Sequence, residues 1–304
     1  MGTARWNPDA WEHYAAGAST KSASELFARN MHKDLDPKYV KFRESCDSDL
    51  NPLSTPIIVA VDNTGSMGML AENLIRKGLG VLIEEIYLRK PVTDPHVMCM
   101  AVGDAWYDRA PLQATQFEAD MRLVEQLSKF WIERGGGGNN YESYNLPWYF
   151  AATRTKCDAI LKRKKKGYLF TVGDEPPPPT LLAKHARLIL NDGLQVDLSS
   201  RDILTMAAKS WEIFHIIIEE GSYCRMNLPK VKEEWQKLLG QRAISLSEHE
   251  DLAELIVSTM QVNEGEDIAT VAGSWSGTTA LVVRNSLQGL QTSGVASSTG
   301  LTRL

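Results

Sequence analysis

Three short stretches of the 304-residue chain concentrate oxygen-bearing side chains: Asp62-Asn-Thr-Gly-Ser-Met67, Gly138-Asn-Asn-Tyr-Glu-Ser143 and Gly173-Asp-Glu175. Together they offer carboxylate, hydroxyl and amide oxygens, with no Cys or His among them. Hard cations such as Mg²⁺ select such ligands, in octahedral geometry at about 2.0–2.1 Å, and keep positions for water or for a partner's oxygen. A sharp turn at Gly65 lets Asp62, Thr64 and Ser66 converge on one point, while Met67 opens a helix whose N-terminus faces it. A lone Asp after a strand is often only a helix cap, as Ser or Thr can be. Three oxygen-rich loops in succession point beyond capping.

Those loops need a frame, and the hydrophobic pattern supplies one. Residues 57–61, Ile-Ile-Val-Ala-Val, form a continuous apolar run of the kind buried on both faces of a parallel sheet. A helix is expected over 70–89, where apolar residues recur near a 3.6-residue period up to Arg89-Lys-Pro91. Further strands are expected at 97–103, 168–172 and 213–218, with a short run at 112–117. Helices are expected at 121–134, 144–163, 181–190, 200–208, 231–239 and 248–261. Alternating strands and helices call for a three-layer α/β fold, in which ligands collect beyond the carboxyl ends of the strands. The first and third loops follow apolar strands, and the second precedes a helix.

Outside this frame, residues 1–54 mix aromatic and charged residues and read as an N-terminal extension packing on the core. Residues 264–304 are rich in Gly, Ser and Thr and read as a flexible or weakly ordered tail, with 280–290 apolar enough to dock as a strand or short helix. The body between them is 55–263.

Composition sets the outer limits. The chain is 43% hydrophobic and 23% charged, with 33 basic against 38 acidic side chains, an ordinary globular make-up. A formal charge of -5 argues against a general nucleic-acid binder. The four cysteines form no C-x-x-C pair, so no zinc knuckle or dithiol motif is read. The first residues lack the apolar run of a signal peptide, and no stretch approaches the roughly 18 to 20 apolar residues of a membrane span. The expected location is the cytoplasm, with no membrane contact.

Asp62-Asn-Thr-Gly-Ser66 after an apolar strand resembles the Asp-x-Ser/Thr-x-Ser element of von Willebrand factor type A (VWA) domains, the metal-ion-dependent adhesion site. The Gly-rich loop before the helix expected at 144–163 and Asp174 after the strand expected at 168–172 stand where that family has its remaining ligands. The resemblance covers roughly residues 55–263. It implies a Rossmann-like, doubly wound, mostly parallel sheet flanked by helices. It also implies a bound Mg²⁺, or Mn²⁺ or Ca²⁺, held by Asp62, Thr64 and Ser66, with Asp174 acting through water. Where the family has a Thr after the glycines, this chain has Asn139, Asn140, Glu142 and Ser143; Asn140 is placed first as the ligand and Glu142 close behind. The implied function is non-enzymatic: a protein partner's Asp or Glu completes the cation's shell. Intracellular prokaryotic members commonly look like adaptors of AAA+ ATPases of the MoxR type. This chain has no Gly-x-x-x-x-Gly-Lys-Ser/Thr loop of its own.

Asp62-Asn-Thr-Gly-Ser-Met67 also looks like the Asp-Lys-Thr-Gly-Thr element of P-type ATPases and their haloacid-dehalogenase relatives, where a strand-end Asp is the nucleophile of Mg²⁺-dependent phosphoryl transfer. That pattern wants a second Asp at the position of Thr64 and a further acid where this chain has prolines. The run Lys162-Arg-Lys-Lys-Lys166 reads as a solvated helix end, and the four prolines after Glu175 as a stiff surface loop.

Overall fold

The structure, a computed structural model, describes residues 3–133 and 138–291, with the backbone but not the side chain of Ser66. Its centre is a six-stranded sheet. In chain order the strands are β1 (Thr55–Asp62), β2 (Pro95–Val102), β3 (Leu112–Ala114), β4 (Gly167–Gly173), β5 (Trp211–Ile218) and β6 (Ala243–Leu246). Across the sheet they lie in the order β6-β5-β4-β1-β2-β3. All neighbours are parallel except β3, which runs antiparallel to β2 at the edge. This is the doubly wound, mostly parallel α/β architecture expected from the sequence. The chain builds outward from β1 in both directions, so the strand order reverses between β1 and β4.

Period-two alternation divides the core into two layers. Ile57, Val59 and Val61 face one layer and Ile58 and Ala60 the other, which is why β1 reads as an unbroken apolar run. The first layer holds Gly68–Asn73 and Leu79–Arg89, joined by a single π turn at Leu74–Gly78, together with Leu252–Asn263. The second holds Asn145–Thr153, Ala183–Leu190, Ser200–Ala207 and Ser222–Leu239. Among the described residues, no helix is long and apolar enough to cross a membrane.

Several expected elements differ in the structure. The helix expected over 144–163 is interrupted. Asn145–Thr153 ends, Thr155–Cys157 pairs in parallel with Arg43–Ser45, and only then does Asp158–Arg163 turn helical. The hydroxyls of Thr153 and Thr155 donate back to the carbonyls of Tyr149 and Ala151 at 2.7 and 2.6 Å, a competition that unsettles helix ends. The helix expected over 121–134 is regular only at Arg122–Leu127, and residue 134 lies outside the described residues. Strand β6, four residues long, gives too short an apolar signal to be expected at all.

The tail differs in part: 280–290 docks on the core as expected, largely as a helix, while the stretch before it is helical instead of flexible. Ile268–Gly273 and Gly277–Ser286 are helices whose Val271, Ala272, Val282 and Val283 join the first-layer core. Asp267 caps the first of them by accepting from the Thr270 backbone at 2.9 Å. The small polar residues conceal a narrow apolar stripe; residues 292–304 lie outside the described part. At the other end, Trp11 fits so closely over Gly80 that a β-carbon there would lie 1.9 Å from the indole nitrogen. The basic run is neutralised locally, with Lys162 on Asp158, Arg163 on Asp47 and Lys166 on Glu212.

Candidate metal centre

Asp62 is the last residue of β1 and is fully buried. The chain then turns at Gly65, whose φ of 41° suits a residue without a side chain, and enters the helical stretch Gly65–Met67. That turn folds Thr64 back onto Asp62. The Thr64 amide and hydroxyl both donate to Asp62 Oδ1, at 2.9 and 2.7 Å. From the other side Glu142 brings its Oε1 to 3.1 Å from the same hydroxyl. Thr64 has one hydroxyl proton, so it satisfies one acid at a time. The other acid is left for a proton or a cation.

The loop carrying Glu142 is held by the end of β2: Ser143 donates its amide to the Gly103 carbonyl at 3.2 Å and accepts from the Ala105 amide at 2.9 Å. Asn140 stands outside this cradle, exposed and with left-handed backbone at φ 60°. Of the two mid-loop residues, the structure therefore brings Glu142 to Thr64 rather than Asn140. Asp174 follows β4. Its Oδ2 accepts from the Tyr223 amide at 2.8 Å and its carbonyl from the Cys224 thiol at 3.0 Å, in the first turn of Ser222–Leu239. The side chain of Ser66 lies outside what is described.

Three further residues belong to the site: Glu175 stands in the third oxygen-rich stretch, while Tyr144 and Asp104 lie outside all three. Tyr144, next after the mid-chain loop, donates to Asp62 Oδ2 at 2.9 Å. Asp104, two residues beyond the end of β2, is buried. Glu175 neighbours Asp174, and its carbonyl takes the Trp235 indole N–H at 2.9 Å. The strand-end rule used for Asp62 and Asp174 points to Asp104 as well.

These acids crowd one another. Burial, together with the charge of Asp174, lifts Asp62 to about 7 against the pull of its hydrogen bonds from Thr64 and Tyr144. Burial first and Asp62 second push Glu142 to about 10. Burial, Asp62, Asp174 and Asp104 raise Glu175 to about 8, and burial raises Asp174 and Asp104. The charges acting on Asp62, Glu142 and Glu175 are negative throughout. Glu142 Oε2 and Asp104 Oδ2 are buried without a hydrogen-bond donor. Desolvated acceptors that repel one another are a fit environment for a hard cation. Among the described residues no three His, Cys, Asp or Glu side chains form a metal cluster by themselves. An ion here would thus depend on hydroxyl and water oxygens beside the carboxylates.

No protein-family model and no curated protein matches the sequence. Among solved structures, the pilus adhesin SpaC of Lactobacillus rhamnosus GG in its open conformation overlaps 73% of this chain and 31% of its own, at 13% identity and a TM-score of 0.45. Proximal thread matrix protein 1 of the mussel byssus overlaps 72% of this chain and 48% of its own, at 11% and 0.42. A von Willebrand factor type A protein from Catenulispora acidiphila overlaps 82% of this chain and 53% of its own, at 10% and 0.39. The chain spans from about a third to about half of these proteins. At such identity they bear on no residue of the site.

Proposed function

We propose that the chain is a VWA-type, divalent-cation-dependent protein-binding module. The observation that carries this reading is the Thr64 hydroxyl lying between two buried acids, 2.7 Å from Asp62 and 3.1 Å from Glu142, at the end of β1 where the strand order reverses. In this reading Asp62, Thr64 and Ser66 hold Mg²⁺, or Mn²⁺ or Ca²⁺, with Glu142 ahead of Asn140 from the mid-chain loop and Asp174 acting through water. When bound, the ion supplies a Lewis-acidic position for a carboxylate. The chain's own contribution is to order the Thr64 hydroxyl and keep the acids dry, and the partner's Asp or Glu completes the shell.

The partner belongs to a larger intracellular assembly, of which an AAA+ ATPase of the MoxR type is the leading candidate, and the site of action is the cytoplasm. The module is not itself an enzyme. The phosphoryl-transfer pattern is incomplete at Asp62: Thr64 stands where it wants a second Asp, and prolines follow Glu175 where it wants a further acid. The deciding experiment is affinity capture from the native host with and without EDTA, repeated with Asp62→Ala. Capture of one partner that both EDTA and the substitution abolish, with the fold intact, is the expected result. A partner retained under both conditions, or phosphatase activity lost in Asp62→Asn, refutes it.

A further inference from the structure

Tyr144 is fully buried, and its ring is wedged edge-on against His215 and Trp235, at centroid distances of 5.0 and 5.6 Å. His215 itself stacks on Trp235 and shares a hydrogen bond with Thr171 Oγ1 at 2.9 Å, so the wall behind the phenol is fixed. The phenol reaches Asp62 only because residue 173 is glycine: a β-carbon there would lie 2.0 Å from the Tyr144 oxygen. Asp62 Oδ1 takes two donors from Thr64, and Oδ2 takes the phenol at 2.9 Å. A carboxylate has about four lone-pair sites, so one remains, on Oδ2. Three donors from different directions also leave the group no freedom to rotate.

We infer that Tyr144 sets the cation selectivity of the site, holding Asp62 as a rigid donor of one oxygen and so favouring Mg²⁺ over Ca²⁺. The inference rests on the cation-binding reading above and deepens it. Ca²⁺ tolerates irregular shells and takes carboxylates through two oxygens, whereas Mg²⁺ demands near-ideal octahedral geometry. A clamped carboxylate with one available lone pair serves the second demand and frustrates the first. Tyr144 is a positioning residue in this account, acting on the ion through Asp62.

The test is Tyr144→Phe in the full chain, which keeps the ring and its packing and removes only the hydroxyl. Mg²⁺ and Ca²⁺ affinities are each measured by titration calorimetry, with circular dichroism to verify the fold. Loss of a residue that orients a ligand typically weakens binding by about 10-fold or more. That loss is expected for Mg²⁺, with a much smaller change for Ca²⁺, so the affinity ratio falls. Gly173→Ala, which drives the phenol off Asp62 while keeping its hydroxyl, is expected to lower the ratio in the same sense. A natively folded Tyr144→Phe variant with an unchanged Mg²⁺/Ca²⁺ ratio, whether both affinities drop or neither does, overturns the selectivity role alone. A wild-type chain that binds neither ion overturns the cation reading and this inference together.

Discussion

Gly221 and Asp174 share a space that only an absent side chain leaves open: a β-carbon at 221 would fall 2.2 Å from that of Asp174 and 2.3 Å from its Oδ2. The acid that follows β4 is therefore held in place by the glycine that precedes Ser222–Leu239, the helix after β5. Replacing Gly221 by Ala must move one or the other. Such overpacking costs about 1–3 kcal/mol, read as a lower urea midpoint. Mg²⁺ affinity is expected to fall with it, and a variant of native stability and unaltered affinity would show the contact to be easily relieved.

Removing the Thr64 hydroxyl separates binding from folding. Thr64→Val preserves shape but takes away the donor that Asp62 and Glu142 contend for. Stability is expected to drop by about 1–3 kcal/mol, because a buried acceptor loses its donor. Cation affinity, by contrast, is expected to vanish from titration calorimetry.

Added Mg²⁺ should raise the melting temperature, and EDTA should reverse the gain. An ion that binds only the folded chain stabilises it by about 2.7 kcal/mol at 100 times its dissociation constant. Scanning fluorimetry across an Mg²⁺ series gives the shift. With Asp62→Ala the curve is expected to be flat.

The acids of the site also fix how stability depends on pH. Asp62 and Glu142 have ordinary values of 3.8 and 4.5 and are held up to about 7 and about 10, and Glu175 to about 8. Between the ordinary and the raised values the folded chain binds more protons than the unfolded one. Its stability is then fully present below about pH 4 for these groups and declines as pH rises through the raised values. Urea unfolding in EDTA at pH of about 5, 7 and 9 should show that decline, and saturating Mg²⁺ should flatten it by taking the place of the protons. A metal-free stability that climbs over this range would contradict the burial of the cluster.

Trp11 tests the N-terminal arm. It is 6% exposed and lies directly over Gly80, in the helical layer that begins at the site. Trp11→Ala is expected to cost about 3–5 kcal/mol by chemical denaturation, in the range of buried aromatic deletions. A loss below about 1 kcal/mol would mean that the arm is dispensable to the core.

Much of the frame was legible because parallel strands covered on both faces carry uninterrupted apolar runs: 57–61, 97–103, 168–172 and 213–218 each fall on a strand of the sheet. The strand-end positions of Asp62, Thr64 and Asp174 were legible for a related reason, since a strand-end loop is adjacent in sequence to the strand that aims it. What escaped was whatever depends on distant packing. Tyr144 reaches Asp62 across 82 positions, and only the absence of a side chain at Gly173 admits it. The break at Thr155–Cys157 needs Arg43–Ser45 as a pairing partner, which no local periodicity announces. The helix Ile268–Gly273 buries too few apolar residues to outweigh its Gly and Thr in a local reading, whereas 280–290 carried enough Leu and Val to be expected to dock, as it does.

The central position of β1 bears on how the molecule is made. Ile57 pairs with Val97 on one side and with Tyr168 on the other. A ribosome therefore delivers this central strand long before its second neighbour exists. Until Tyr168 emerges, the nascent polypeptide carries Ile57, Ile58, Val59, Ala60 and Val61 with an open backbone edge, the kind of segment that mispairs during synthesis.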